Sequence, residues 1–185
     1  TIIVIQYLIA GTMAGANPFR LIKTMLPAYF TAIGTQSSAA TIPVTLAQTK
    51  KNGVNEGVAD FAIPLSATIH LSGSTITLVS CSVAIMMLSG MDYSFATYFG
   101  FILALGVTMV AAPGVPGGAV MAAIGLLQSM LGFDATMTSL MIALYLAQDS
   151  FGTACNVTGD GAIAVIVNKL SGHKLEPQKI SISEL

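Results

Sequence analysis

The chain has 185 residues, of which 54% are hydrophobic and only 8% are charged, and its mean hydropathy is +0.81. A soluble domain carries roughly 25% charged residues, and a chain of this length could not hide so much apolar surface in one core, so lipid is the expected solvent. The formal net charge is −1. Without a basic patch, no nucleic-acid partner is expected.

The first stretch, Thr1–Ala14, is mainly apolar and carries no charged side chain, and a more polar stretch begins at Asn17. It has no charged segment of the kind that opens a signal peptide. Residues 1–16 are therefore predicted to be the end of a preceding transmembrane helix. We expect an N-terminal scaffold half of the same protein to come before it.

Residues 17–51 are predicted to form a re-entrant hairpin. The uncharged stretch Thr24–Thr49 could span a bilayer once, but its centre, Gly34–Ser38, is polar. Basic residues stand at both ends, and the positive-inside rule places both ends in the cytoplasm. Two short arms that enter from the cytoplasmic side, with the serine-rich turn at the tip, satisfy both observations.

Residues 52–91 contain one span, Phe61–Met91, which is interrupted by the polar stretch His70–Thr75 around Gly73. A break here would expose backbone carbonyls at membrane depth, where they suit a monovalent cation. The alternative is that the Ser and Thr side chains bond back to the preceding turn and only bend the helix.

Residues 92–133 are about twice the length of one span, and Pro113–Gly118, with two prolines and three glycines, breaks them in the middle. The stretch is flanked by Asp92 and Asp134. It is either two full spans or a second hairpin that enters from outside. Charge alone leaves both open, but two spans would put a loop without basic residues at the cytoplasmic face, which favours the hairpin.

The predicted fold is an all-α membrane protein built as an inverted repeat, each half being a re-entrant hairpin followed by a transmembrane helix. Residues 134–170 are the last, amphipathic span, and residues 171–185 are a cytoplasmic tail. This arrangement places all seven Lys and Arg on one side of a multi-pass protein of the cell (inner) membrane. Two hairpin tips that meet near the midplane would enclose a site.

Four polar residues share one face of the last span. Asp149, Thr153, Asn156 and Asp160 follow the spacing i, i+4, i+7, i+11, which places them within about 60° of one another. A carboxylate inside a span costs roughly 2.5–3.5 kcal/mol, and no Lys or Arg lies in any span to pair with it. A bound cation, a cationic substrate group or residues outside this chain must pair with them, unless the carboxylates are held protonated.

At these residues the chain resembles the dicarboxylate/amino acid:cation symporter family, which includes the glutamate and neutral amino acid transporters. The resemblance covers nearly the whole chain, and its motifs are Thr35–Pro43, Pro64–Ile69, Gly114–Gly117, Asp149 and Asn156–Asp160. It implies the glutamate-transporter-like fold, in which hairpin 1 is followed by helix 7 and hairpin 2 by helix 8. It also implies a homotrimer in which this half moves against a scaffold.

The resemblance implies a role for each matching position. Asp149 would hold the amino group of an amino acid, and Asn156 with the backbone around Ser37 would hold its α-carboxylate. The whole implied substrate set is Gln36, Ser37, Ser38, Val115, Pro116, Gly117, Asp149, Gly152, Thr153 and Asn156. One implied sodium site comprises Asp160, Asn156 and carbonyls near Ser66 and His70, and a second comprises Thr68 and the carbonyls of Met109, Val110 and Ala112.

Departures from the family pattern bear on substrate and ions. Members that carry acidic substrates have an arginine three residues after the amino-binding aspartate, where this chain has Gly152, and some relatives have one on the first tip, where it has Gln36. An acidic side chain would be buried without a cation, so a neutral amino acid is expected. The family's Asn-Met-Asp-Gly-Thr reads here as His70–Ser74. Because Ser72 replaces the aspartate, two or fewer sodium ions are expected, with no organic cofactor.

The resulting prediction is sodium-coupled symport of a small neutral amino acid. The outer hairpin is predicted to close over the occupied site. One alternative is a proton-coupled symporter of an amino acid or dicarboxylate that uses His70, because histidine titrates near neutral pH. A more distant alternative is a channel, since re-entrant loops also occur there. An enzyme is not expected, because no nucleophile–histidine pair lies in a span.

Overall fold

The computed structural model describes residues 1–92 and 94–171. Within these ranges the chain forms eight helices: α1 (Ile2–Ala14), α2 (Pro18–Thr35), α3 (Ser38–Lys51), α4 (Glu56–Ile69), α5 (Ser72–Leu88), α6 (Phe95–Met109), α7 (Gly118–Leu131) and α8 (Ala135–Ser171). The predicted all-helical class is confirmed. The predicted cytoplasmic tail is residues 171–185. Ser171 ends α8, and residues 172–185 lie outside the described residues.

The turn between α2 and α3 is tight, and its two residues, Gln36 and Ser37, are called the first loop. Gln36 adopts a left-handed conformation (φ 50°) that ends α2. Ser37 is extended, and its side chain accepts a hydrogen bond from Ala40 N (3.1 Å), which starts α3. A serine in this position satisfies one of the free N–H groups at a helix start. The two helices pack against each other along their length.

The connection from α6 to α7 is longer and is called the second loop, residues 110–117. Pro113 and Pro116 keep it from continuing either helix. It ends at Gly117, whose φ of 73° lies in the left-handed region where glycine carries no steric penalty. Helices α6 and α7 then pack side by side.

Helices α4 and α5 are separated by only His70 and Leu71. Among the described residues, two helical stretches are long and apolar enough to cross a membrane, Glu56–Leu88, which includes this interruption, and Ala135–Ser171. Both satisfy the length of about 20 residues that a bilayer requires.

Helix α8 is the centre of the fold and packs against α1, α2, α3, α4, α5 and α7. Its N-terminal half joins an apolar cluster with α5, α6 and α7, which contains Phe101 and Leu127. Its C-terminal half joins a second cluster with α1 to α4, which contains Met25 and Ile63. The polar residues near the middle of α8 therefore lie where the two apolar clusters adjoin.

Candidate functional site

The first and second loops are in direct contact. The carbonyl oxygen of Gly114 accepts one hydrogen bond from Ser37 Oγ (2.7 Å) and another from Ala39 N (3.2 Å). There is no room for a side chain at Gly114, because a Cβ atom would lie 2.7 Å from the Ala67 carbonyl oxygen. Glycine is therefore needed for this close approach of three backbone segments.

Asp149 of α8 lies beside this contact and is only 3% exposed. Its Oδ2 accepts a hydrogen bond from Gly117 N in the second loop (2.7 Å), and its Oδ1 accepts a long one from Thr153 Oγ1 (3.4 Å). These partners are neutral, so they solvate the carboxylate without cancelling its charge.

A small pocket lies between the loops and α8. Its free volume is about 10 Å³, roughly the minimum that one water molecule needs. Six residues of the predicted substrate set line it: Gln36, Ser38, Val115, Asp149, Thr153 and Asn156. Six residues outside the predicted substrate set also line it: Leu71, Ser74, Pro113, Gly114, Ala119 and Tyr145. In this conformation the loops close the pocket too tightly for an organic ligand.

The other four predicted substrate residues lie around the pocket rather than in its lining. Ser37 and Gly117 hold its walls through the hydrogen bonds given above, and Pro116 precedes Gly117 in the second loop. Gly152 is buried against α5, where a Cβ atom would lie 3.4 Å from Thr77 Oγ1.

Asn156 organises the interrupted helix. Helix α5 has no capping side chain of its own, and its first N–H groups need acceptors. Asn156 Oδ1 accepts from Gly73 N (2.8 Å) and Ser74 N (3.4 Å), while its Nδ2 donates to Ser74 Oγ (2.8 Å). The amide thus fixes the start of α5 against the middle of α8.

Asp160 is 1% exposed and lies beside the break between α4 and α5. Its Oδ1 is 2.8 Å from His70 Nδ1, and His70 Nε2 is in turn 3.0 Å from Gln6 Nε2 of α1. Its Oδ2 is buried without a hydrogen-bond partner among the described residues. The carboxylate therefore retains one oxygen that a cation could neutralise. Ser66 is a predicted sodium ligand. Its carbonyl oxygen already accepts a hydrogen bond from His70 N (2.8 Å), which leaves one lone pair on that oxygen free.

The residues of the second predicted sodium site flank the contact between the second loop and α4. Thr68 Oγ1 donates to the Leu65 carbonyl (2.7 Å), so its oxygen remains free to act as an acceptor. Met109 O accepts from Ala112 N (3.2 Å) in the turn that ends α6, and Val110 lies between them.

Tyr145 is the most informative of the lining residues that sequence reasoning missed. It lies one turn before Asp149 on α8, so the same spacing that groups the polar face also includes it. The spacing signal was present, but it was not used in the sequence prediction. Ser74 and the second-loop residues Pro113 and Gly114 lay in the predicted helix breaks, but only tertiary contacts bring them to the pocket.

Comparison with known proteins identifies the class. The family model described as the sodium:dicarboxylate symporter family matches residues 1–170. The chain belongs to this family.

Particular relatives include excitatory amino acid transporter 3 of Oryctolagus cuniculus, which is 36% identical over 97% of this chain and 34% of its own length. Excitatory amino acid transporter 1 of Rattus norvegicus is 29% identical over 90% of this chain and 31% of its own length. The chain thus spans about a third of these relatives.

Proposed function

We propose that this chain is the substrate-binding part of a sodium-coupled symporter for a small neutral amino acid. Membership of the symporter family supports cation-coupled transport. The observation that carries the substrate assignment is the buried Asp149 carboxylate in a pocket whose described lining residues include no Lys or Arg. An α-ammonium group would supply the missing positive charge, whereas an acidic side chain would find none.

The two loop-linked helix pairs are proposed to be re-entrant hairpins. Helices α3 and α7 have 14 residues and α6 has 15, or about 21–23 Å at 1.5 Å per residue. These lengths fall short of the roughly 30 Å hydrocarbon core of a bilayer. Each pair would enter and leave on one side, α2–α3 from the cytoplasm and α6–α7 from outside, so that the loops meet at depth.

Sodium is proposed to bind at two or fewer sites, of which Asp160 anchors the first. Its unpartnered Oδ2 supports a cation there, with Asn156, Ser66 and His70 nearby. Thr68 with the Met109–Ala112 backbone would form the second. Closure of the second loop over the substrate would complete the latter, which would tie substrate binding to ion binding.

The assembly proposed for the whole protein follows from the family resemblance. A scaffold half would hold this unit in a homotrimer in the cell membrane, with the C-terminus in the cytoplasm. Membership of the symporter family supports transport, rather than catalysis, as the proposed role.

Uptake by the full-length protein in liposomes tests the proposal. Radiolabelled neutral and acidic amino acids are offered with and without an inward sodium gradient, and neutral substrates are expected to accumulate only with sodium. Preferred uptake of aspartate or glutamate would overturn the substrate assignment. Because His70 contacts Asp160, a further arm applies a pH gradient without sodium, and uptake in that arm would overturn sodium coupling. Currents far above carrier rates would indicate a channel.

A further inference from the structure

Tyr145 has a buried hydroxyl group that completes no hydrogen bond of good geometry, although it lies close to the side chains of Asp149 and Ser74. The residue is 0% exposed, and its hydroxyl has no hydrogen-bond partner among the described residues. A buried tyrosine hydroxyl usually finds a partner, because an unpaired one has lost water without replacement. Tyr145 also lines the pocket that contains Asp149. The unpaired hydroxyl therefore lies where a bound ligand can supply the missing partner.

The surroundings of Tyr145 define what that partner can be. Asp149 carries a negative charge on the same helix face one turn away, so a second anion in the pocket is disfavoured. Ser74, which also lines the pocket, adds a second hydroxyl, whose oxygen accepts from Asn156 Nδ2 (2.8 Å). Apart from Asp149, the described lining residues of the pocket are uncharged.

We infer that Tyr145 is a specificity-determining residue whose hydroxyl binds an uncharged, hydrogen-bonding group on the substrate side chain, an inference that rests on the proposed function. A phenol hydroxyl both donates and accepts, so a side-chain hydroxyl or amide can pair with it. An apolar side chain of the same shape leaves the hydroxyl unpaired. Sites that hydrogen-bond a substrate discriminate against analogues that lack the bonding group for this reason.

The test compares amino acids that differ in hydrogen bonding and little in shape. Three pairs serve: serine with α-aminobutyrate, threonine with valine, and asparagine with leucine. Each competes with uptake of a labelled neutral substrate by the full-length protein, as wild type and as Tyr145→Phe. The wild type is expected to bind the polar member about three- to tenfold more tightly, which is the effect of one net hydrogen bond. Tyr145→Phe is expected to bring the ratio close to one by weakening the polar member only.

Tyr98→Phe is the matched control. Tyr98 is also buried, but its hydroxyl bonds to Ser82 Oγ (3.2 Å) between α6 and α5 and does not line the pocket. Its loss is expected to leave all three ratios unchanged. Thermal unfolding in detergent checks that both variants fold.

Each outcome supports or overturns the inference. Equal weakening of both members of a pair by Tyr145→Phe assigns the residue to packing and overturns it. A wild type that binds all six amino acids without preference overturns it as well and leaves the proposed function standing. A wild type whose uptake of the labelled neutral substrate is inhibited by none of the six overturns the inference alone, whereas a wild type that takes up no labelled neutral amino acid overturns the proposed function, and the inference with it. If Tyr145→Phe is not recovered folded, the wild-type ratios decide alone.

Discussion

Replacement of Asp149 by asparagine removes the charge on which the proposed substrate site depends and changes little else. Gly117 N donates to Asp149 Oδ2 at 2.7 Å, and an asparagine side-chain oxygen can accept the same hydrogen bond. The second loop can therefore stay closed in the variant. What changes is the field in the pocket, where the described lining residues supply no other charge.

The size of the effect follows from burial. Asp149 is 3% exposed, so an ammonium group bound beside it would be largely out of water. Removal of one partner of a buried ion pair costs about 3–5 kcal/mol. Since 1.4 kcal/mol is a factor of ten, substrate affinity is expected to fall at least about 100-fold. Without substrate the variant should be no less stable than wild type, because an unpaired buried carboxylate is itself destabilising.

The assay is isothermal titration of the purified full-length protein with a neutral amino acid at saturating sodium, together with thermal unfolding in detergent. Asp134→Asn is the control. Asp134 lies at the start of the same helix, is exposed and caps Met137 N (2.8 Å), a role that asparagine performs equally well. It should leave affinity and stability unchanged. If Asp149→Asn binds within a factor of three of wild type, the ammonium site lies elsewhere and the electrostatic reasoning is wrong.

Three glycine substitutions test the contacts around the pocket. Gly73→Ala places a Cβ atom closer than 3.0 Å to the Gly152 carbonyl oxygen, so it should push α5 away from α8 and lower the midpoint of thermal unfolding. Gly106→Ala is the control, because its Cβ atom meets nothing within 4 Å, and it should leave that midpoint unchanged. Gly114→Ala meets a backbone carbonyl of α4 at 2.7 Å and should lower substrate affinity at least tenfold by holding the second loop away, whereas Gly125→Ala, with open space around it, should bind normally. Gly152→Arg should raise competition by aspartate at least tenfold, since a hydrogen bond between charged groups contributes about 1.5–3 kcal/mol; no gain over Gly152→Ala would contradict the charge argument.

The apolar stretches and the positions of polar, proline and glycine residues between them predicted much of the fold. The polar centre Gly34–Ser38 and the proline-containing break Pro113–Gly118 are local signals, and both fall where one helix ends and the next begins; α8 follows from a long apolar stretch with one polar face. The family was recognisable from motifs alone, and this prediction is confirmed. Helix starts and breaks depend mainly on residues close in sequence, which is why they can be read from it.

Contacts between segments that are far apart in the sequence were harder to predict. Asn156 looked like a ligand, and nothing in its neighbourhood indicated that it would cap α5, 82 and 83 residues away. The pairing of His70 with Asp160 depends on how α8 is rotated relative to the break between α4 and α5. The sequence pattern gives the faces of each helix, but the mutual rotation of packed helices depends on the whole core. The assignment of substrate and sodium ligands therefore remains a prediction.

The Gly114 carbonyl oxygen accepts hydrogen bonds from two donors, Ser37 Oγ in the first loop and Ala39 N at the start of α3. A single atom thus joins a hairpin proposed to enter from the cytoplasm with one proposed to enter from the exterior. Withdrawal of either hairpin breaks both hydrogen bonds at once. The two proposed routes to the pocket therefore share one oxygen, and opening of either is expected to leave that atom without both of its donors.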